Sequence, residues 1–107
     1  MTSEFEITDE DFKFFLQEAE ELLAVLEEGA VRLEKTGADP DTVQEMFRAA
    51  HTIKGSAATV GYRAVAELTH ALETVLNEVR EGRAPVTPSL IDVVLEGIDG
   101  LRGLLAD

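Results

Sequence analysis

"DPDTVQEMFRAAHTIKGSAATVG", residues 39–61, decides how this chain folds. Asp39 offers a side-chain oxygen to the free amides of a helix start, and Pro40 takes the first helical position, where its missing N–H costs nothing. At about 100° per residue, Val43, Met46, Ala50, Ile53, Ala57 and Val60 fall on one side. Gly61 then supplies a stop. The stretch predicts an amphipathic helix over 40–60 that needs apolar neighbours along its whole length.

Those neighbours are present on both sides. Upstream, Thr8 and Asp11 form the ends of a near capping box. After them Phe12, Phe15, Leu16, Ala19, Leu22, Leu23 and Leu26 recur at spacings of three and four, predicting a helix over 9–35 that stops at Gly37. Downstream, 63–81 carries Val65, Leu68, Leu72, Val75, Leu76 and Val79, with the stripe centred near Leu68 and Leu72, and stops at Gly82. "GRAPVTP", 82–88, reads as a connector. Thr87 and Pro88 then open a fourth helix over 88–105, with Leu90, Ile91, Val94, Leu95, Ile98, Leu101 and Leu105 as its stripe. Gly97, Gly100 and Gly103 each cost roughly 1 kcal/mol relative to alanine inside a helix, so that end is expected to fray or to be truncated. No stretch alternates with period two. The expectation is an all-α chain, one domain over 1–107, folded as an antiparallel up-down-up-down four-helix bundle.

Composition narrows the function. The 107 residues contain no cysteine, so neither a disulfide nor a thiolate metal site is available. No apolar run reaches the length of a membrane span, and the opening "MTSEFEITDEDF" is too acidic for a signal peptide, which makes the cytoplasm the simplest location. Nine bases stand against 22 acids, for a net charge of −13. Nucleic acid and anionic membrane both need a basic face, so neither is an expected partner. The charge is uneven, however. Between Met46 and Ala66 there is no acid, while Arg48, Lys54 and Arg63 fall inside that window. A basic island in an acidic chain suggests that an anion is handled at one place.

His51 lies in that island, on the side of its helix away from the core stripe, with Gln44, Gly55 and Ala58 along its own line. Gly55, four residues on, stands mid-helix where no turn requires it. A glycine there clears the way for another body to approach the backbone beside the imidazole. Lys54, three residues on, is placed to meet negative charge arriving at His51. On the next helix, His70 and Glu73 are surface neighbours at i and i+3, both directed away from the stripe centre. If the two helices are antiparallel neighbours, Glu73 reaches His51, fixes Nδ1–H and leaves Nε2 as the lone pair. His70 reads as a second polar surface residue rather than a direct participant.

A nucleophilic imidazole with an ammonium beside it, a carboxylate behind it and a cleared approach forms a phosphoryl acceptor. The chain has no Walker-type GxxxxGK[ST], no kinase-like glycine loop and no aspartate cluster placed for magnesium. It therefore reads as a carrier that must receive the group from elsewhere, with no cofactor of its own. No metal site is expected either, because ferritin-like bundles need inward Glu and Glu-x-x-His, and His70-x-x-Glu73 reverses that order.

At this point the residues meet a known family. "FRAAHTIKGSAATVGY" followed by "ELTHALE" resembles the histidine-containing phosphotransfer (HPt) domains, and most closely the type found at the N-terminus of CheA chemotaxis histidine kinases. The resemblance runs helix for helix from about residue 8 to 105. It implies that His51 is the phosphorylated histidine, Lys54 the lysine beside it, Glu73 the carboxylate bonded to it and His70 the second histidine of the cluster. It also implies that Gly55 admits the partner; Ala58, Arg48 and Gln44, on or near the same side of the helix, are expected along that approach. The implied partners are an ATP-binding histidine kinase catalytic domain and a CheY- or CheB-like response regulator receiver domain. The parent kinase would be a dimer, whereas a closed acidic bundle alone reads as a monomer. Two features depart from the family pattern: Ala58 stands where many relatives have glycine, and CheA-type domains often add a fifth helix that this chain lacks. The chain accordingly reads as the N-terminal piece of a longer kinase.

Two other readings compete. A stand-alone HPt protein of a multistep phosphorelay fits the length, but Thr69-His70-x-x-Glu73 argues against it. A helical interaction module with an acidic exterior predicts nothing special at His51 and leaves Gly55 unexplained.

Overall fold

The computed structural model describes residues 8–37 and 39–106 and consists of four helices with no strand among them: α1 (Asp9–Thr36), α2 (Pro40–Thr59), α3 (Arg63–Arg80) and α4 (Pro88–Leu105). The first seven residues of the acidic opening lie outside the described residues. Three of the four helix starts follow from side-chain caps, whereas Tyr62 before α3 makes none. Thr8 Oγ1 accepts from the Asp11 amide at 3.0 Å while Asp11 returns a carboxylate oxygen to the Thr8 amide at 3.2 Å, a complete capping box. Asp39 accepts from the Asp41 amide at 3.2 Å and from the Thr42 hydroxyl at 2.8 Å, with Pro40 at the first position. Thr87 caps α4 in the same way through the Leu90 amide at 3.1 Å. α2 ends one residue before the expected Val60, because Gly61 adopts φ 77°, a backbone conformation that turns the chain back towards α3.

The connections are too short for anything but antiparallel neighbours, and α1 packs on α2, α2 on α3, α3 on α4, and α4 back on α1. The bundle is thus closed in sequence order. Its core is built from Phe15, Leu23, Leu26 and Leu33 of α1, Met46 and Ile53 of α2, Val65, Leu72 and Leu76 of α3, and Ile91, Val94, Ile98 and Leu101 of α4. One close approach fixes the α1–α2 pair. A Cβ on Gly29 would lie 2.4 Å from Met46 Cγ, so the fully buried Met46 fills the space that glycine leaves. At one end, Phe12 and Phe15 gather around Tyr62, whose hydroxyl donates to the Leu104 carbonyl, one of the α4 carbonyls without a helical partner. Arg102 pairs with Glu27 to tie α4 to α1.

The glycine-rich end of α4 differs from the sequence expectation. The helix runs unbroken to Leu105. Gly97 and Gly100 face α3, where a Cβ would stand 3.5 Å from Leu72 Cδ1 and 3.0 Å from Leu68 Cδ2 respectively. The propensity lost at these glycines is offset by the leucines that pack against them, a tertiary effect that a helix-by-helix reading leaves out. No helix of the described residues is long and apolar enough to cross a membrane.

Candidate functional site

The α2–α3 pairing brings three side chains together. His51 Nδ1 lies 2.5 Å from Glu73 Oε2, and Lys54 Nζ donates to Glu73 Oε1 at 2.7 Å. The i, i+3 spacing of His51 and Lys54 sets both on the α2 side that faces α3, where one carboxylate spans them. The imidazole itself is 64% exposed.

Glu73 corrects the sequence reading, which directed it away from the α3 core stripe. It is buried, at 8% exposure, as is Thr69 one turn earlier. α3 packs against two helices, with Leu68 and Leu72 turned towards α4 and Thr69 and Glu73 towards α2. Its buried arc is therefore wider than the apolar stripe, and the polar residues on its edge are covered by α2. Burial works to raise the Glu73 pKa, but the hydrogen bonds from Lys54 and His51, with their charges, outweigh it and hold the carboxyl below its usual range.

That ionisation state fixes the histidine. A carboxylate can only accept, so Nδ1 carries a proton, and in the neutral form of the ring the lone pair is on Nε2, on the edge away from Glu73. The arrangement is an exposed imidazole whose tautomer is set by a buried carboxylate, with that carboxylate held ionised chiefly by a lysine. Among the described residues, no group of three or more His, Asp or Glu is arranged to hold a metal ion.

Clefts open on both sides of His51. The α2–α3 cleft, about 400 Å³, is lined by Phe47, Lys54, Glu73, Asn77 and Arg80, with His70 exposed on its rim. The α1–α2 groove, about 660 Å³, runs past Gly55 and Ser56 to Phe14 and Glu18, where Ser56 Oγ donates to Glu18 Oε1 at 3.1 Å. Phe14 stands on its rim 66% exposed. A Cβ on Gly55 would meet nothing within 4 Å, so no packing inside the bundle calls for glycine there. Gln44 and Arg48 line neither opening, and Ala58 borders a separate depression with Gly61, Arg63 and Ala66. Sequence reasoning passed over Phe47 and Arg80. Phe47 was findable, one turn before His51 on the same line of α2; Arg80 was not, because its place beside Phe47 depends on the α2–α3 register.

Comparison with known proteins gives one family. The Hpt domain model matches residues 12–104. The chain is 43% identical over 93 residues to the chemotaxis protein CheA of Listeria monocytogenes, which covers 87% of this chain but 15% of that protein's length. Among solved structures, the CheA phosphotransferase domain from Thermotoga maritima superposes with a TM-score of 0.83 at 34% identity, covering 96% of this chain and 95% of that one. The phosphorylated P1 domain of CheA3, in complex with CheY6 from R. sphaeroides, superposes at 0.86 with 25% identity, over 92% of this chain and 77% of that one. The chain belongs to the Hpt domain family, and within it is similar to the phosphotransfer domains of CheA-type chemotaxis proteins.

Proposed function

We propose that the chain is the phosphotransfer part of a longer CheA-type chemotaxis kinase. In this reading His51 takes a phosphoryl group from ATP on the kinase's ATP-binding domain and passes it to an aspartate of a CheY- or CheB-like receiver. The observation that carries the reading is the buried Glu73 carboxylate, 2.5 Å from Nδ1, which leaves Nε2 free on an exposed ring. The complex of a similar phosphorylated domain with CheY6 supports the choice of a receiver as acceptor.

Chemically, the Nε2 lone pair forms a bond to the γ-phosphorus as the bond to the β,γ-bridging oxygen breaks and ADP departs. Both ring nitrogens then carry substituents, so the ring becomes cationic, and the Glu73 carboxylate offsets that charge at contact distance. In the second step an aspartate oxygen of the receiver bonds to phosphorus, the N–P bond breaks, and the ring returns to its neutral Nδ1–H form. No proton has to move in either direction. Lys54 spends one N–H on Glu73 and has two left for the phosphoryl oxygens. That attraction is about 1 kcal/mol at contact range in water, and larger once a docked partner excludes solvent. Gly55 keeps the adjoining surface low for the partner.

The test is the position of the phosphoryl linkage. Phosphorus and nitrogen NMR of the chain phosphorylated by a CheA-type kinase domain is expected to give an Nε2-linked phosphohistidine at residue 51. A linkage at Nδ1, or at another residue, would overturn the reading.

A further inference from the structure

A second line of contacts reaches the same imidazole from the far end of the α2–α3 cleft. The Phe47 ring lies 6.2 Å from the His51 ring, centroid to centroid, with 15° between their planes. The Arg80 guanidinium carbon stands 4.0 Å from the Phe47 centroid. Arg80 is oriented in its turn: Nη2 donates to Asn77 Oδ1 at 2.6 Å and lies 3.6 Å from a Glu81 carboxylate oxygen. These distances fall within the ranges for offset aromatic stacking and for a cation over a ring.

The Glu73 contact leaves something undone. A single hydrogen bond from Nδ1 fixes one edge of the imidazole but lets the ring swing about the N–H···O axis. In-line attack needs the Nε2 lone pair aimed as well as free, and misdirection of a nucleophile is costly. On a ring that is 64% exposed, water competes for every other contact. A flat neighbour nearly parallel to the ring supplies the missing constraint, and a guanidinium over that neighbour keeps it in place.

We propose that Phe47 and Arg80 are positioning residues for His51, Phe47 fixing the plane of the imidazole and Arg80 holding Phe47 in its rotamer. The proposal rests on His51 as the phosphoryl acceptor. It adds that the nucleophile is held at two points, its edge by Glu73 and its face by Phe47, with neither Phe47 nor Arg80 touching the phosphoryl group.

The experiment uses the 107-residue chain as wild type, Arg80→Ala, Arg80→Lys, Phe47→Leu and Phe47→Tyr. Nitrogen NMR of the His51 ring reads tautomer and ring mobility, and labelling by a CheA-type kinase ATP-binding domain gives kcat and KM for the chain as substrate. Arg80→Ala is expected to lower kcat about two- to fivefold with KM unchanged, and to raise ring mobility in nitrogen relaxation while the Nδ1–H tautomer is kept. Arg80→Lys restores part of both, Phe47→Tyr nearly all, and Phe47→Leu exceeds Arg80→Ala. Ring mobility identical to wild type in both Arg80→Ala and Phe47→Leu overturns the proposal, as does a change in KM alone, which would make Arg80 a docking residue. If the wild type takes no label, the acceptor reading fails, whereas the ring-nitrogen comparison still decides whether Phe47 and Arg80 hold the ring.

Discussion

Replacing Gly55 with alanine separates the demands of the fold from those of the partner. An added Cβ meets nothing within 4 Å, and Gly55 lies inside α2 with ordinary helical backbone. The substitution therefore removes the helix penalty of glycine, about 1 kcal/mol, without a packing cost. For a domain of this size that corresponds to a rise in Tm of about 4–8 °C. The methyl projects into the approach to His51, where a loss of about 1 kcal/mol in docking slows transfer to a receiver about fivefold. Two other glycines serve as controls. Gly103→Ala also meets open space, and is expected to stabilise without altering transfer. Gly29→Ala puts a Cβ 2.4 Å from Cγ and 2.6 Å from Sδ of the fully buried Met46, and lowers Tm because overpacking costs about 1–3 kcal/mol. Thermal unfolding monitored by circular dichroism, together with the half-time of label leaving the phosphorylated chain for a CheY-type receiver, measures all three. Transfer from Gly55→Ala at the wild-type rate, with Tm raised, would refute the access argument.

Glu73 predicts a pH signature. Its folded pKa is lowered from 4.5, so the stability it contributes is complete above about pH 4.5 and is lost as the pH falls through the folded value. Urea unfolding between pH 3 and 7 should show wild type losing stability relative to Glu73→Gln only at the acid end; a constant difference across that range would contradict the assignment. Glu73→Ala is expected to slow phosphorylation of His51 while leaving the helical signal intact, and a normal rate would reduce Glu73 to a structural acid. Tyr62→Phe removes the donor to the Leu104 carbonyl but keeps the ring stacked on Phe12, costing about 0.5–1.5 kcal/mol in chemical unfolding with no change in phosphotransfer.

Much of this molecule is legible in the sequence because its signals are local. Thr8, Asp39 and Thr87 start helices through bonds to residues two or three positions away, and Gly37, Gly61 and Gly82 end them with positive φ. The core stripe of α2 is read from spacing alone, and all of it is buried except the half-covered Val60. What escaped depends on two helices at once. The burial of Glu73 needs α2 laid over the polar edge of α3, and the persistence of α4 through Gly97 and Gly100 needs Leu72 and Leu68 beside them. Arg80 escaped for the same reason, being 33 positions from the ring it covers. Of the residues expected around His51, Lys54 and Glu73 touch in the structure and His70 and Gly55 border the clefts. Gln44, Arg48 and Ala58 share the helix but not the clefts, because helical phase says which side a residue faces and not how far along it the site extends.

Radiolabel transfer tests most directly whether His51 is a transferable phosphoryl carrier. The wild type, His51→Gln and His70→Gln would each be incubated with labelled ATP and a CheA-type kinase ATP-binding domain, then chased with a receiver domain. Label on the wild type and on His70→Gln, absent from His51→Gln and passing to the receiver in the chase, is the predicted result. Label retained by His51→Gln, or a wild type that no such kinase domain labels, the cognate one included, would contradict it.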